Sequence, residues 1–258
     1  MGQKHSTTSL SGTRVEISDG LPLGQLKEYF NSKPPASNGN KVIIYTGGMT
    51  PIHKGHVAMI CRAKQVFEAD GYNVCVIVCP TWSDYVKGKL GDITPHKALF
   101  ENDNALQLVA RALSCMDGVF VCKYDYMCWR DYPQTMTDAM TEIKSTPGLE
   151  SAMVDYLTGQ DNAVGMYKHG QLTLTGTTFG GKVWSDGLIV ARRTHDKDND
   201  IVEKLNQFSW IKWIDMPEET LTISSTKIRT LLASGQSVQN QVPDNIVNDV
   251  HKLYKIKN

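Results

Sequence analysis

Two histidines three residues apart, His53 and His56, close a stretch from Thr46 to His56 that reads TGGMTPIHKGH. At the start of a helix this spacing turns both side chains to one side, where two imidazoles can face the same anion. Gly47 and Gly48 let the backbone approach a ligand closely, with Met49 following them, and the N–H groups of a helix start favour negative charge. The stretch lacks the Lys-Ser/Thr pair of a Walker loop, and its glycines do not make GxGxxG. A second cluster lies far along the chain, where Thr222 to Arg229 reads TISSTKIR. Ser224 or Ser225 suits a helix N-cap. The same helix start gathers the hydroxyls of Ser224, Ser225 and Thr226 with the guanidinium of Arg229, an assembly matched to a polyphosphate.

These residues need elements to hold them. Val42 to Tyr45 is a short apolar run of the kind that forms a buried parallel strand, and Val57, Ile60, Cys61 and Phe67 then keep helical spacing as far as Asp70-Gly71. Further strand-like runs occur at 73–80, 118–123, 151–157, 187–192 and 209–216. Helical patterns cover Lys97 to Met116, Thr226 to Ala233, and a last amphipathic stretch from Pro243 to Leu253. Strands alternating with helices predict an α/β chain: a Rossmann-like parallel sheet with helices on both faces, which binds ligands at the carboxyl ends of its strands. The residues that follow each strand are therefore candidates. They include Lys87 and Lys89 in a polar loop with Ser83 and Asp84, and the aromatic cluster Tyr124, Tyr126, Trp129 and Tyr132. They also include Gly159 and Asp161 after the fourth strand, and Trp184 in a Gly-rich loop before the fifth.

Composition narrows the function classes. The 258 residues carry 27 basic and 27 acidic side chains, a balance with no electrostatic footprint for nucleic acid, so any phosphate must be held by a local site. No run reaches the length of a transmembrane helix and the N-terminus has no apolar signal core, so the expected location is intracellular, cytoplasmic or nuclear. The six cysteines lie in or beside apolar runs without a CxxC pair and read as reduced core thiols. Residues 1–40 are rich in small polar residues and Pro and are expected to be a flexible N-terminal extension, with one short helix over Leu21 to Phe30. A single main domain is then expected to run from 41 to 258. The opening MGQKHS fits the short M-G-x-x-x-[ST] pattern for myristoylation of Gly2, for which a chance match in a polar tail is the simpler account. One acyl chain would in any case hold a membrane only marginally.

HxGH near the first strand together with ISSTKIR near the last helix resembles nicotinamide or nicotinic acid mononucleotide adenylyltransferase, of the HxGH nucleotidylyltransferase superfamily. Met49 stands where that family most often has an aromatic residue, and Gln160 replaces the small residue of its Gly-Ala-Asp loop. The resemblance implies a reaction of ATP with nicotinamide or nicotinic acid mononucleotide, giving NAD or deamido-NAD and pyrophosphate. It implies catalytic roles for His56, His53 and Arg229. Gly47, Gly48, Met49, Gly159, Asp161, Ser224, Ser225 and Thr226 would bind ATP and its phosphates. Lys87 or Lys89 would hold the mononucleotide phosphate, Trp184 would stack on its pyridine ring, and Tyr124, Tyr126 or Trp129 would supply a second ring. Mg²⁺ is expected to ride on the phosphates with no protein carboxylate cage. Family members often assemble, so a homo-oligomer is expected. The competing readings are another transferase of the superfamily and a non-catalytic nucleotide-binding module on the same fold.

Overall fold

A computed structural model describes residues 15, 17–81, 83–101, 103–124, 132–192 and 198–254. Its centre is strand β1 (Asn40–Gly47), in which Ile43 and Tyr45 are buried on one side and Val42 and Ile44 on the other. Strands β2 (Asn73–Pro80), β3 (Val119–Val121), β4 (Met153–Gly159), β8 (Gly187–Ala191) and β9 (Ile211–Ile214) complete a parallel sheet. Its order is β3-β2-β1-β4-β8-β9. The chain leaves β1 toward β2 on one side and later returns to add β4 on the other, so a topological switch point lies between the carboxyl ends of β1 and β4. The expected strands all form. The sequence reading missed a small antiparallel meander, β5 (Leu172–Thr173), β6 (Gly176–Phe179) and β7 (Lys182–Val183).

Helices cover both faces. Against Ile43 and Tyr45 pack α2 (Lys54–Ala69), α4 (Asn104–Leu113), α9 (Ser225–Ala233) and α10 (Val247–Tyr254), through Ile60, Leu108, Ile228 and Val250. Against Val42 and Ile44 pack α1 (Leu23–Ser32), α5 (Tyr132–Lys144), α6 (Gln160–Lys168) and α7 (Asn199–Asn206), through Leu26, Ile143, Ala163 and Leu205. A sheet buried on both faces explains why its strands read as continuous apolar runs. At the amino ends of the strands, Lys41 of β1 and Asp155 of β4 form a buried ion pair at 2.5 Å, with the Lys41 ammonium 4.4 Å from the centre of the Phe67 ring.

Three expectations change. Residues 17–40 are docked: Leu26 and Phe30 of α1 enter the core, and Ser18 makes a parallel bridge to Cys122 beside β3. The Gln107 side chain of α4 holds both the N–H and the carbonyl of Val15, at 2.9 and 2.8 Å, and the Ser18 carbonyl accepts from the Lys123 N–H at 2.8 Å, so the segment runs along the β3 edge of the sheet. The helix expected over Lys97–Met116 is broken into a 3₁₀ turn (Thr94–Phe100), which starts early at Thr94, and α4. Asp103, in the left-handed region at φ 58°, separates the two, and the Asn104 amide ties them by donating to the Ala98 carbonyl at 2.7 Å. The polar loop expected to carry Lys87 and Lys89 is helix α3 (Ser83–Leu90), anchored by buried Val86. Cys75, Cys79 and Cys122 are buried as expected, whereas Cys115 is exposed. Gly2 and Cys128 lie outside the described residues. Among the described residues no helix is long and apolar enough to cross a membrane.

Candidate active site

β1 delivers Thr46 and Gly47 to the carboxyl edge of the sheet, and the chain turns there before entering α2. Met49 has positive φ and its side chain is buried in the core, so its backbone is what it can offer a ligand. His53 is the buried N-cap residue of α2, and His56 lies half-buried in the first turn. Their rings stack with centroids 3.7 Å apart and planes 21° apart, so the expected pairing on one side of the helix start is realised. The His53 backbone N–H donates to His56 Nδ1 at 3.3 Å, and a neutral imidazole that accepts there carries its proton on Nε2, as a donor. Gly55 between them has a steric reason: a Cβ there would stand 3.0 Å from the His53 ring. One expectation weakens, since the Lys54 N–H at the helix start is taken by the Gln241 carbonyl at 2.9 Å.

The distant ISSTKIR segment closes directly on this turn. Arg229, one helical turn into α9, donates from Nη1 to the Thr50 carbonyl at 2.7 Å and from Nη2 to Thr226 Oγ1 at 3.1 Å. Ser225 Oγ donates to the Pro51 carbonyl at 3.0 Å. Ser224 is the N-cap of α9, its Oγ accepting from the Lys227 N–H at 3.2 Å. The two clusters recognised separately in the sequence are therefore one site. Desolvation lowers the pKa of half-buried Arg229 from its ordinary value, yet a guanidinium stays charged. Behind it, burial and then the charge of Arg229 push the pKa of His96 down, so this ring is held neutral.

A small, mainly apolar cavity adjoins the histidine pair, lined by Met59, Ala191, Met216, Ile223 and, from the short helix α8 (Glu218–Leu221), Thr220 and Leu221. Sequence reasoning missed these residues. Ala191 and Met216 follow from the rule that ligands bind past strand ends, whereas Leu221 and Ile223 reach the cavity only through tertiary packing.

The other candidates flank the switch point less tightly. Gly159 is the N-cap residue of α6, and Asp161 stands exposed in its first turn, close to the end of β4. Lys87 is paired with Asp84 at 2.8 Å and Lys89 is exposed, while Val86 of the same helix lies 3.8 Å from where a Cβ on Gly48 would stand. Trp184 requires a correction. Its ring is fully buried and packs edge-on against Tyr156, with Nε1 donating to the Gln171 carbonyl at 3.3 Å, so it presents no face to a pyridine. The Gly-rich loop puts this large ring into the core on the Val42 and Ile44 face of the sheet because the meander closes over it. Trp129 and Tyr126 lie outside the described residues.

The site is thus a histidine pair on the first crossover turn of a parallel α/β sheet, closed by a Ser- and Arg-bearing helix from late in the chain. The chain belongs to the cytidylyltransferase-like family, whose model matches residues 44–231. No curated protein sequence matches it significantly. In fold it is similar to the Plasmodium falciparum nicotinic acid mononucleotide adenylyltransferase complexed with APC, at a TM-score of 0.55 and 14% identity over 84% of this chain and 99% of that one. The same Plasmodium enzyme complexed with NaAD matches at a TM-score of 0.53 and 14% identity, over 85% of this chain and 100% of that one.

Proposed function

We propose that this protein transfers the adenylyl group of ATP to the phosphate of nicotinamide or nicotinic acid mononucleotide, forming NAD or deamido-NAD and pyrophosphate. The observation that carries the reading is the clasp of Arg229 and Ser225 on the carbonyls of Thr50 and Pro51, which unites the two phosphate-suited segments beside the histidine pair. The acceptor class is supported by the activity and the NaAD ligand named for the similar Plasmodium structures.

The chemistry needs no general base. A phosphate monoester has its second pKa near about 6 and is mostly dianionic at neutral pH. An oxygen of the mononucleotide phosphate attacks the α-phosphorus of ATP in line. The new P–O bond forms as the bond from the α-phosphorus to the bridging oxygen breaks, and pyrophosphate leaves with the electron pair. Catalysis is then positioning and charge neutralisation. His56 would donate from Nε2 to phosphate oxygens as charge builds there, with His53 beside it. Arg229, Ser224, Ser225 and Thr226 would hold the β- and γ-phosphates, and Lys87 or Lys89 the incoming phosphate. Asp161 would accept from ribose hydroxyls near Gly159. The donors gathered here are imidazoles, hydroxyls and cations, a set that suits Mg²⁺ carried on the phosphates and water. When bound it would neutralise phosphate charge.

A coupled assay of dinucleotide formation tests this, with ATP and each mononucleotide in turn and CTP as the alternative donor. ATP-dependent synthesis is expected, falling about 100-fold or more in His56→Ala, the scale of losing one preorganised donor. Folded protein that makes no dinucleotide from either acceptor, or that prefers CTP, would end the reading.

A further inference from the structure

The turn that carries the site begins with two glycines, which bring no side chains of their own to anchor it, although the Gly47 carbonyl accepts from the Thr81 N–H at 2.9 Å and the Gly48 carbonyl from the Thr50 hydroxyl. A Cβ at either position would find its nearest neighbour only at 3.8 Å, the Met49 methyl in one case and Val86 in the other. The later half of the turn is held by Arg229 and Ser225. Its beginning is held from the opposite face of the sheet as well. There Thr46 Oγ1 and the Tyr156 hydroxyl share a hydrogen bond at 2.7 Å, both residues being buried. Tyr156 sits opposite Ile44 in the β1–β4 register, so its ring leans along the strands toward the site to reach Thr46.

Trp184 sets that ring in turn. The two aromatics meet edge to face, with centroids 5.6 Å apart and planes at 76°. Trp184 is itself fixed to the meander, donating from Nε1 to the Gln171 carbonyl at 3.3 Å and from its backbone N–H to the Thr177 carbonyl at 3.2 Å. An unbroken series of contacts thus runs from the meander through Trp184, Tyr156 and Thr46 to the peptide that opens the turn.

We propose that Trp184 and Tyr156 are positioning residues for the transfer reaction, setting the backbone of Gly47 and Gly48 through the Thr46 hydroxyl. The inference rests on the adenylyl-transfer reading. A reaction run by positioning loses rate when groups drift by even about 1 Å. It also gives Trp184 a role that needs no contact with substrate.

The test compares Tyr156→Phe, Thr46→Val, their double variant and Trp184→Phe in the full chain. Three quantities are read: kcat and KM for both substrates, the thermal midpoint, and hydrogen–deuterium exchange over residues 46–50 without substrate. Each single variant at the Thr46–Tyr156 bond is expected to lower kcat about fivefold, the rate equivalent of one neutral hydrogen bond. Both KM values should stay within about twofold, and exchange over 46–50 should quicken. Two apolar groups facing one another are nearly neutral for stability. The double variant should therefore regain the thermal midpoint while keeping the low kcat, which a merely structural pair would not do. Trp184→Phe should lower kcat with the mononucleotide KM unchanged. Wild-type kcat and exchange in Tyr156→Phe would overturn the inference. So would a tenfold rise in the mononucleotide KM of Trp184→Phe with kcat intact, the signature of a ring that stacks on substrate. Exchange needs no turnover, so a wild-type protein without dinucleotide synthesis would end the proposed function and leave the clamp to be judged by exchange alone.

Discussion

Replacing Arg229 with lysine isolates what a planar fork does that a point charge cannot. Arg229 spends one N–H on the Thr50 carbonyl at 2.7 Å and another on Thr226 at 3.1 Å, and its remaining N–H groups are left for phosphate. Lysine keeps the positive charge, so long-range attraction for ATP persists. Its single ammonium has no fork with which to grip Thr50 and reach a phosphate along fixed directions. A hydrogen bond from a charged donor contributes about 1.5–3 kcal/mol, and each factor of ten in rate corresponds to about 1.4 kcal/mol. Arg229→Lys is therefore expected to lower kcat about 10- to 100-fold, with a smaller change in the KM for ATP. Ser225→Ala removes the neutral half of the clasp, at 3.0 Å to Pro51, and should cost about fivefold in kcat. Steady-state dinucleotide synthesis measures both, with thermal melting to confirm that each variant is folded. If folded Arg229→Lys keeps kcat/KM within about threefold of wild type, the clasp does not set the phosphate site and the argument from it fails.

Three further outcomes follow from local geometry. Gly55→Ala would put a Cβ 3.0 Å from the His53 ring and 3.5 Å from the Thr220 carbonyl, so it should lower turnover about tenfold or more; unchanged kinetics would show that the ring need not stay where it stands. Lys41→Met alone should cost about 3–5 kcal/mol in urea unfolding because it strands a buried carboxylate. Lys41→Met with Asp155→Leu should restore most of that stability, and a double variant as unstable as the single one would count against the pairing at 2.5 Å. For His96, the fold lowers the pKa through burial and then Arg229, with Asp92 opposing and the Tyr254 ring 5.4 Å away. The unfolded chain then binds the proton more readily, so stability is fully present above an unfolded pKa of about 6.5 and is lost as pH falls from there toward the folded pKa. The urea midpoint should accordingly drop between pH 7.5 and 5.5 more in wild type than in His96→Asn; a His96 resonance titrating above the ordinary value would contradict this.

The sheet was legible because a doubly covered parallel strand must be apolar throughout, and runs such as NVCVIVCP admit little else. The histidine pair and the serine-rich helix start were legible for a related reason: capping and tight turns are local, and their residue types are restricted. What escaped depends on contacts between distant parts of the chain. α3 forms over SDYVKGKL because Val86 finds a buried place near Gly48, a contact that no spacing within these eight residues announces. Residues 17–40 have the composition of a tail, yet Leu21, Leu26 and Phe30 enter the core on one face of the sheet and Ser18 pairs beside β3. Trp184 was misplaced on the same account. A tryptophan in a Gly-rich loop looks available to a ligand until a meander closes over it.

A reaction whose nucleophile arrives already ionised leaves the protein little to do by proton transfer, and that shifts the demands on the chain. Where a general base must be tuned, rate is concentrated in one side chain and its pKa. In the proposed transfer the rate would depend on where a short turn stands, and that turn opens with two glycines that bring no side chains to hold it. The fold meets the requirement by fastening the turn from both faces of the sheet, through Thr46 to Tyr156 on one and through Thr50 and Pro51 to Arg229 and Ser225 on the other. Fastening of this kind distributes sensitivity beyond the residues that touch substrate. Substitutions at Tyr156, buried in the second core, should then act on kcat as His56 does, though by less, and should leave both KM values nearly alone.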